Sequence, residues 1–154
     1  DLLGEIVNRG IEFSVAGAVT PSLNVVAGGV LLRPRVTGEE VALGRVGERP
    51  VGVPARSFDF NADWRTPFLE SLSFDIGVSH AGATPATRNN AVNIPARTLV
   101  DLGARYRFKL SGRNATLRIQ MTNVGGVYGY ELLGAGAYDL IPGRVGSAYI
   151  TADF

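Results

Sequence analysis

From Val100 to Leu110 apolar and polar residues alternate along the chain. Val100, Leu102, Ala104, Tyr106, Phe108 and Leu110 fall on one face of an extended strand, and Asp101, Arg105, Arg107 and Lys109 fall on the other. Successive strand side chains point to opposite faces, so such a segment has an apolar side and a wet side. Six further stretches repeat the pattern, the last running from Val145 to Phe154. The period predicts an all-β chain: an antiparallel transmembrane β-barrel segment of about seven strands.

The first strand is expected from Gly10 to Val19, with Ile11, Phe13, Val15 and Val19 toward lipid and Glu12 and Ser14 opposite. The second, Leu23 to about Arg33, alternates least well because Val26 and Val30 make its inner face less polar. The third, Arg56 to Arg65, sets Phe58, Phe60, Ala62 and Trp64 against Ser57, Asp59, Asn61 and Asp63. Four small polar or acidic residues in alternation are costly in a dry core and require water or counter-charge. The fourth sets Leu72, Phe74, Ile76 and Val78 against Ser73, Asp75, Gly77 and Ser79. The sixth alternates Leu117, Ile119 and Met121 with Arg118, Gln120 and Thr122.

Connections between these strands alternate in length: short at 20–22, 66–71 and 111–114, and long at 34–55, 82–97 and 125–144. Outer-membrane barrels have short periplasmic turns and long extracellular loops. The last strand therefore descends, and Trp64, Phe68, Tyr106, Phe108 and Phe154 lie near the short-turn rim, where an aromatic girdle belongs. A soluble sandwich also alternates, but its loops have comparable lengths at both ends. It remains an alternative, as does a lipocalin-like soluble barrel.

Composition narrows the chemistry. With no Cys and one His, thiol catalysis, disulfides and Cys-based metal sites are excluded, and a net charge of +1 points to no nucleic-acid partner. A Ser-His-Asp site would have to use His80, which by parity points outward with Ile76 and Val78, so no catalytic residue is assigned and no enzyme is expected. No cofactor and no metal ligand are assigned either, a lone His being an ordinary interfacial residue.

Seven strands do not close a single-chain barrel, which uses an even number starting at about eight. Residues 1–8 alternate poorly and run into Arg9-Gly10 without a turn, so they are expected to complete the upper end of the first strand. The chain opens without Met and without a basic-then-apolar leader, as expected of a processed chain or part of a longer one. The predicted object is a wall segment. A small stand-alone outer-membrane barrel, structural or adhesive, with residues 1–8 as an extra strand, is the other membrane alternative.

Four motifs occur in order: Arg9-Gly10-Ile11-Glu12 at a strand opening, Pro95 to Tyr106, Met121-Thr122-Asn123-Val124 at a strand end, and Pro142-Gly143-Arg144 before the closing strand. In this they resemble the C-terminal barrel of TonB-dependent outer-membrane receptors, particularly those for ferric siderophores. The resemblance departs where Gly125-Gly126 replace a bulky residue followed by Asp or Asn. Residues 1–154 would then be the C-terminal part of a barrel of about 22 strands whose plug domain and earlier strands are absent.

The resemblance implies ferric siderophore uptake across the outer membrane of a Gram-negative bacterium. Expected partners are the remaining strands and plug, the siderophore, TonB through the absent plug segment, outer-membrane lipid and the barrel-assembly machinery. Ala148, Ile150, Ala152 and Phe154 resemble the terminal signal that machinery reads. Candidate ligand residues are Arg88, Asn89 and Asn90, as donors to an oxygen-rich chelate, and Tyr128, Tyr130 and Tyr138, as aromatic contacts. Each set has an ordinary alternative, a solvated loop tip for the first and self-packing of a Gly-rich loop for the second. Arg105, Arg107, Lys109 and Arg118 are expected to form a lumen ion-pair network with Asp59, Asp63, Asp75 and Asp101.

Overall fold

The computed structural model describes residues 4–134 and 136–153. The element order is β1 (Glu5–Thr20), β2 (Leu23–Thr37), α1 (Glu39–Ala42), β3 (Arg56–Arg65), β4 (Leu72–Ala81), β5 (Thr84–Pro85), β6 (Asn93–Ile94), β7 (Arg97–Leu110), β8 (Arg113–Thr122), β9 (Tyr130–Gly134), β10 (Ala137–Leu140) and β11 (Val145–Ala152). Seven of these form one antiparallel sheet in the order β1-β2-β3-β4-β7-β8-β11, the expected strand count in the expected sequence. The remaining strands form two small hairpins, β5-β6 and β9-β10, inside the second and third long loops.

β1 begins at Glu5 and β2 runs on to Thr37, so residues 5–8 do extend the first strand, while residues 1–3 lie outside the described part. The first long loop was expected from Pro34, yet Pro34 pairs with Asn8 inside β2. The Leu32 amide donates to Ala55 O (2.8 Å) and the Val36 amide to Glu48 O (2.7 Å), both on the side away from β1. Pro34 shares their parity, so its missing N–H faces the loop and the β1-β2 ladder loses no bond. The loops are also less irregular than their composition suggests. The single helical turn α1 sits in the first, and Arg97, assigned to the second, opens β7.

The short connections are built as predicted. Ser111 and Gly112 both have positive φ (51° and 81°), the conformation that a two-residue hairpin loop needs to match strand twist. At 66–71, Thr66 is fully buried and its hydroxyl donates to Leu69 O at 2.6 Å, closing the turn on its own backbone.

Among the described residues no second sheet covers either face, which removes the sandwich alternative. Ile11, Val15 and Val19 are 68%, 61% and 66% exposed, and Ile119 and Ile150 continue the apolar face across β8 and β11. An apolar surface of this extent needs an apolar solvent. Toward the short turns, Trp64 stacks with Phe74 (6.2 Å) and meets Phe68 edge-on (6.3 Å), and Tyr106 stacks on Phe108 (6.0 Å). This is the aromatic rim expected there; Phe154, assigned to it, lies outside the described residues.

The opposite face carries the ion pairs. Arg105 and Arg118 stand directly opposite each other on β7 and β8, a like-charge pairing that is unfavourable alone. Arg105 pairs with Asp63 and lies 3.9 Å from Asp75, while Arg118 forks onto both oxygens of Asp75 at 3.0 Å. Asp75 is on β4 and Arg118 on β8, so this fork crosses β7. It crosses at Gly103, where a Cβ would stand 2.4 Å from the Asp75 carboxylate. The rest of the predicted network divides: Asp101 accepts the Asn123 amide at 2.8 Å and Lys109 donates to Asn114 at 2.7 Å. Arg107 and Asp59 join no ion pair among the described residues.

Gly103→Val is therefore expected to push Asp75 off the strand and release the Arg118 fork, at a cost of about 1–3 kcal/mol. Denaturant unfolding of the complete barrel in detergent measures this. A midpoint equal to the parent's would mean that the fork contributes nothing.

Candidate functional site

The long-loop end is organised by one amide. Asn123 closes β8 with φ 48°, a left-handed conformation that Asn tolerates, and is 4% exposed. Its Nδ2 donates to Val127 O (2.8 Å) and to Pro142 O (2.9 Å), and its Oδ1 accepts the Val127 amide (2.8 Å). Its own amide reaches Asp101 on β7. One side chain thus pins both ends of the third loop to each other and to the sheet. Gly126 (φ 63°) donates to Asn123 O at 2.8 Å, so the Gly pair that departs from the resembled pattern forms the tight turn this geometry requires.

The second loop sits between the other two and bonds to both. Asn90, at φ 57°, accepts the Arg49 amide (2.9 Å) and donates to Arg49 O (2.8 Å), pairing with that residue as one strand would with another. Around it, the Gly47 amide donates to Arg88 O (2.7 Å), Arg49 Nη2 to Ala83 O (3.1 Å) and the Gly52 amide to Pro85 O (3.1 Å). Toward the third loop, the Tyr138 hydroxyl donates to Ala86 O (2.8 Å) and Arg97 pairs with Glu131 at 2.6 Å. The three loops are bonded into one body.

These contacts sort the predicted ligand residues. The Asn90 side chain is engaged in the seam between loops one and two. Asn89 caps its own turn, accepting from Thr87 Oγ1 (2.8 Å) and the Ala91 amide (3.1 Å). Arg88 is exposed beside a cavity under the first loop that Val36, Val41 and Arg49 also line.

The tyrosines behave differently: Tyr128, Tyr130 and Tyr138 all line one cavity of about 560 Å³ between the two small hairpins. Its other walls are mostly apolar, including Ala86, Ile94 and Ile141, each less than a tenth exposed. Tyr138 spends its hydroxyl on Ala86. Tyr128 and Tyr130 are 85% and 57% exposed, with no protein partner for either hydroxyl among the described residues. The cavity can therefore offer two rings with polar tips above an apolar floor. Sequence reasoning missed Ala86, Ile94 and Ile141, whose signal was apolar residues within polar loops. It also missed the lock at Asn123, whose signal was Asn-Val-Gly-Gly at a strand end.

Two other predicted features have definite places. Ala148 and Ile150 lie opposite Ile119 and Leu117 on the outward face of β11, and Ala152 lies opposite Ala115. His80 Nδ1 is 2.9 Å from Thr98 Oγ1 on the outward face near the loop end.

An amphipathic antiparallel meander with alternating short turns and long, inter-bonded loops is a wall segment of a membrane β-barrel. A family model described as "TonB dependent receptor-like, beta-barrel" matches residues 2–124, and the chain belongs to that family. The ferrichrome receptor FcuA of Yersinia enterocolitica is 29% identical over 121 residues, which cover 79% of this chain and 16% of FcuA. The crystal structure of BauA, the ferric preacinetobactin receptor of Acinetobacter baumannii, aligns at a TM-score of 0.87 and 26% identity over 98% of this chain and 22% of BauA. The siderophore receptor PiuA of Acinetobacter baumannii aligns at 0.79 and 17% identity, over 96% of this chain and 22% of PiuA. The chain thus spans less than a quarter of the length of these relatives.

Asn123→Ala is expected to strand Val127 O, Pro142 O and the Val127 amide, each costing about 1–3 kcal/mol if it stays dry. Hydrogen exchange in the complete receptor should show loss of protection over 127–142 while the β7-β8 amides keep theirs. Unchanged protection at Val127 and Ile141 would refute the lock. Asn90→Ala is expected to free the 83–92 segment from 47–52 in the same measurement, and retained protection at Arg49 would show that the seam does not need it.

Proposed function

We propose that this chain is part of the barrel wall of an outer-membrane receptor that takes up a ferric siderophore, acting in transport and not in chemistry. The single observation that carries the reading is the tyrosine-rimmed apolar cavity on the long-loop end of a wall belonging to this family. An iron chelate is large, partly apolar and studded with oxygens; rings with free hydroxyls offer contact area and hydrogen bonds to such a surface. Tyr128 and Tyr130 contact the chelate in this reading, and Tyr138 holds the cavity's shape. Arg88 and Asn89 are further donors to the chelate in this reading, on the loop that Asn90 fixes.

The open edges point to further strands. Among the described residues β1 pairs only with β2, and β11 only with β8. Unpaired backbone groups in lipid cost several kcal/mol each, so further strands are expected on both edges. In this reading those strands and a plug complete a barrel in a Gram-negative outer membrane, TonB acts through the plug, and the assembly machinery reads the outward residues of β11 with Phe154.

Removing both rings by Tyr128→Ala and Tyr130→Ala should weaken chelate binding by about tenfold, from roughly 0.5–1.5 kcal/mol per aromatic contact. The test is iron uptake by cells that depend on the complete receptor, supplied with hydroxamate, catecholate or mixed-type ferric siderophores one at a time. Uptake of none of them by the parent receptor would sink the siderophore reading. Full uptake by the double variant would move the contact elsewhere in the protein.

A further inference from the structure

Among the described residues that line the tyrosine cavity, Arg97 alone carries a charge. Arg97 opens β7 opposite Ala81 and shares the parity of Asp101 and Arg105, so it belongs to the lumen face and not to the lipid face. Its side chain is 19% exposed, and its guanidinium is held by Glu131 at 2.6 Å. Glu131 on β9 stands directly opposite Asp139 on β10, a like-charge pairing that is unfavourable unless a cation offsets it. The one guanidinium in the cavity wall is therefore fully compensated by the hairpin beside it.

The β9-β10 hairpin sorts these groups by parity. Tyr130 and Tyr138 share one face with Leu132 and Leu140, and the two rings line the cavity, whereas Glu131 and Asp139 share the other face. Neighbouring cations lie elsewhere. Arg88 lines the separate cavity under the first loop, and Arg144 sits at the base of the third loop, where its Nη2 would be 3.4 Å from a Cβ at Gly126. What the cavity offers is ring faces, the hydroxyls of Tyr128 and Tyr130, and apolar side chains. An anion entering it loses water and meets no free counter-charge. A ligand whose charges already cancel loses far less.

We propose that the Arg97–Glu131 pair sets the charge specificity of the receptor: it cancels the cation of the cavity wall, so that iron chelates of zero net charge are taken in preference to anionic ones. The inference rests on chelate binding in this cavity, as proposed above. Three hydroxamates, each losing one proton, balance the charge of ferric iron, whereas three catecholates, each losing two, leave the complex a trianion. The first class suits the cavity as it stands. The second needs a guanidinium that Glu131 already holds, and specificity comes as much from such a withheld partner as from contacts made.

One linear ferric trihydroxamate isolates charge from shape: acetylated at its terminal amine the complex is neutral, and succinylated there it is a monoanion. Affinities of both, and of a ferric tris-catecholate, are measured by fluorescence quenching of the complete receptor in detergent. The parent should bind the neutral form about tenfold tighter than the monoanion, and the tris-catecholate weakest. Glu131→Gln frees the guanidinium and should move the neutral-to-anion affinity ratio about tenfold toward the anion, while Arg97→Gln should move it the other way. Combining the two substitutions should bring the ratio back to within about twofold of the parent's, and Glu131→Asp, which keeps the charge, should stay near it. A purely structural pair would instead weaken both forms in proportion and leave the ratio fixed. That result, or a parent that binds the monoanion or the tris-catecholate as tightly as the neutral form, overturns the inference. The Tyr128→Ala, Tyr130→Ala variant separates it from the reading beneath it. A weakened neutral chelate there, with no change of ratio in Glu131→Gln, removes the charge specificity alone. Unaltered binding in both variants, or no binding of any of the three chelates by the parent, removes the chelate site and the inference with it.

Discussion

Every backbone N–H and C=O inside a bilayer must find a partner in the protein, and the architecture follows from that requirement. It dictates long strands in an unbroken antiparallel ladder, and it restricts proline to places where its missing donor costs nothing. Pro34 meets the condition because it lies where β2 has outrun β3 and its nitrogen faces the loop side. The same requirement makes the edges of β1 and β11 the least self-sufficient parts of the sheet.

Within that ladder, side-chain chemistry separates by parity. The outward set is apolar across the middle, aromatic toward the short turns and basic at the loop end of β1 to β3. The inward set is acidic and basic, and its charges are matched locally: Arg105 and Arg118 repel across the strand pair, while Asp63 and Asp75 attract both. Gly103 is a functional part of this arrangement. Its missing side chain lets a carboxylate on one strand reach a guanidinium two strands away.

Parity and loop length made most of the sheet legible from sequence, since period two is a local property and Val100–Leu110 displays it in full. Strand order followed from the alternation of short and long connections. The loops were less legible because their structure depends on contacts distant in sequence. The polarity of Asn90 suggests a donor, while the pairing of its amide with Arg49, 41 residues away, is invisible to local pattern. The three tyrosines stand out in the sequence as aromatic rings in a Gly-rich loop, but their convergence on one cavity depends on the β5-β6 hairpin, which two residues per strand are too few to announce. The upper end of β2 was missed because Pro34 and the arginines beside it resemble a loop when the partner strand is not in view.

The closure of the third loop by Asn123 has an evolutionary consequence. Because Val127, Gly129, Ile141 and Pro142 are joined across its base, the residues between them form a ring tied off from the sheet. Insertions, deletions and substitutions inside the ring leave the register of β8 and β11 untouched. The sequence of this surface can therefore change without refolding the wall beneath it, so long as one asparagine stays in place.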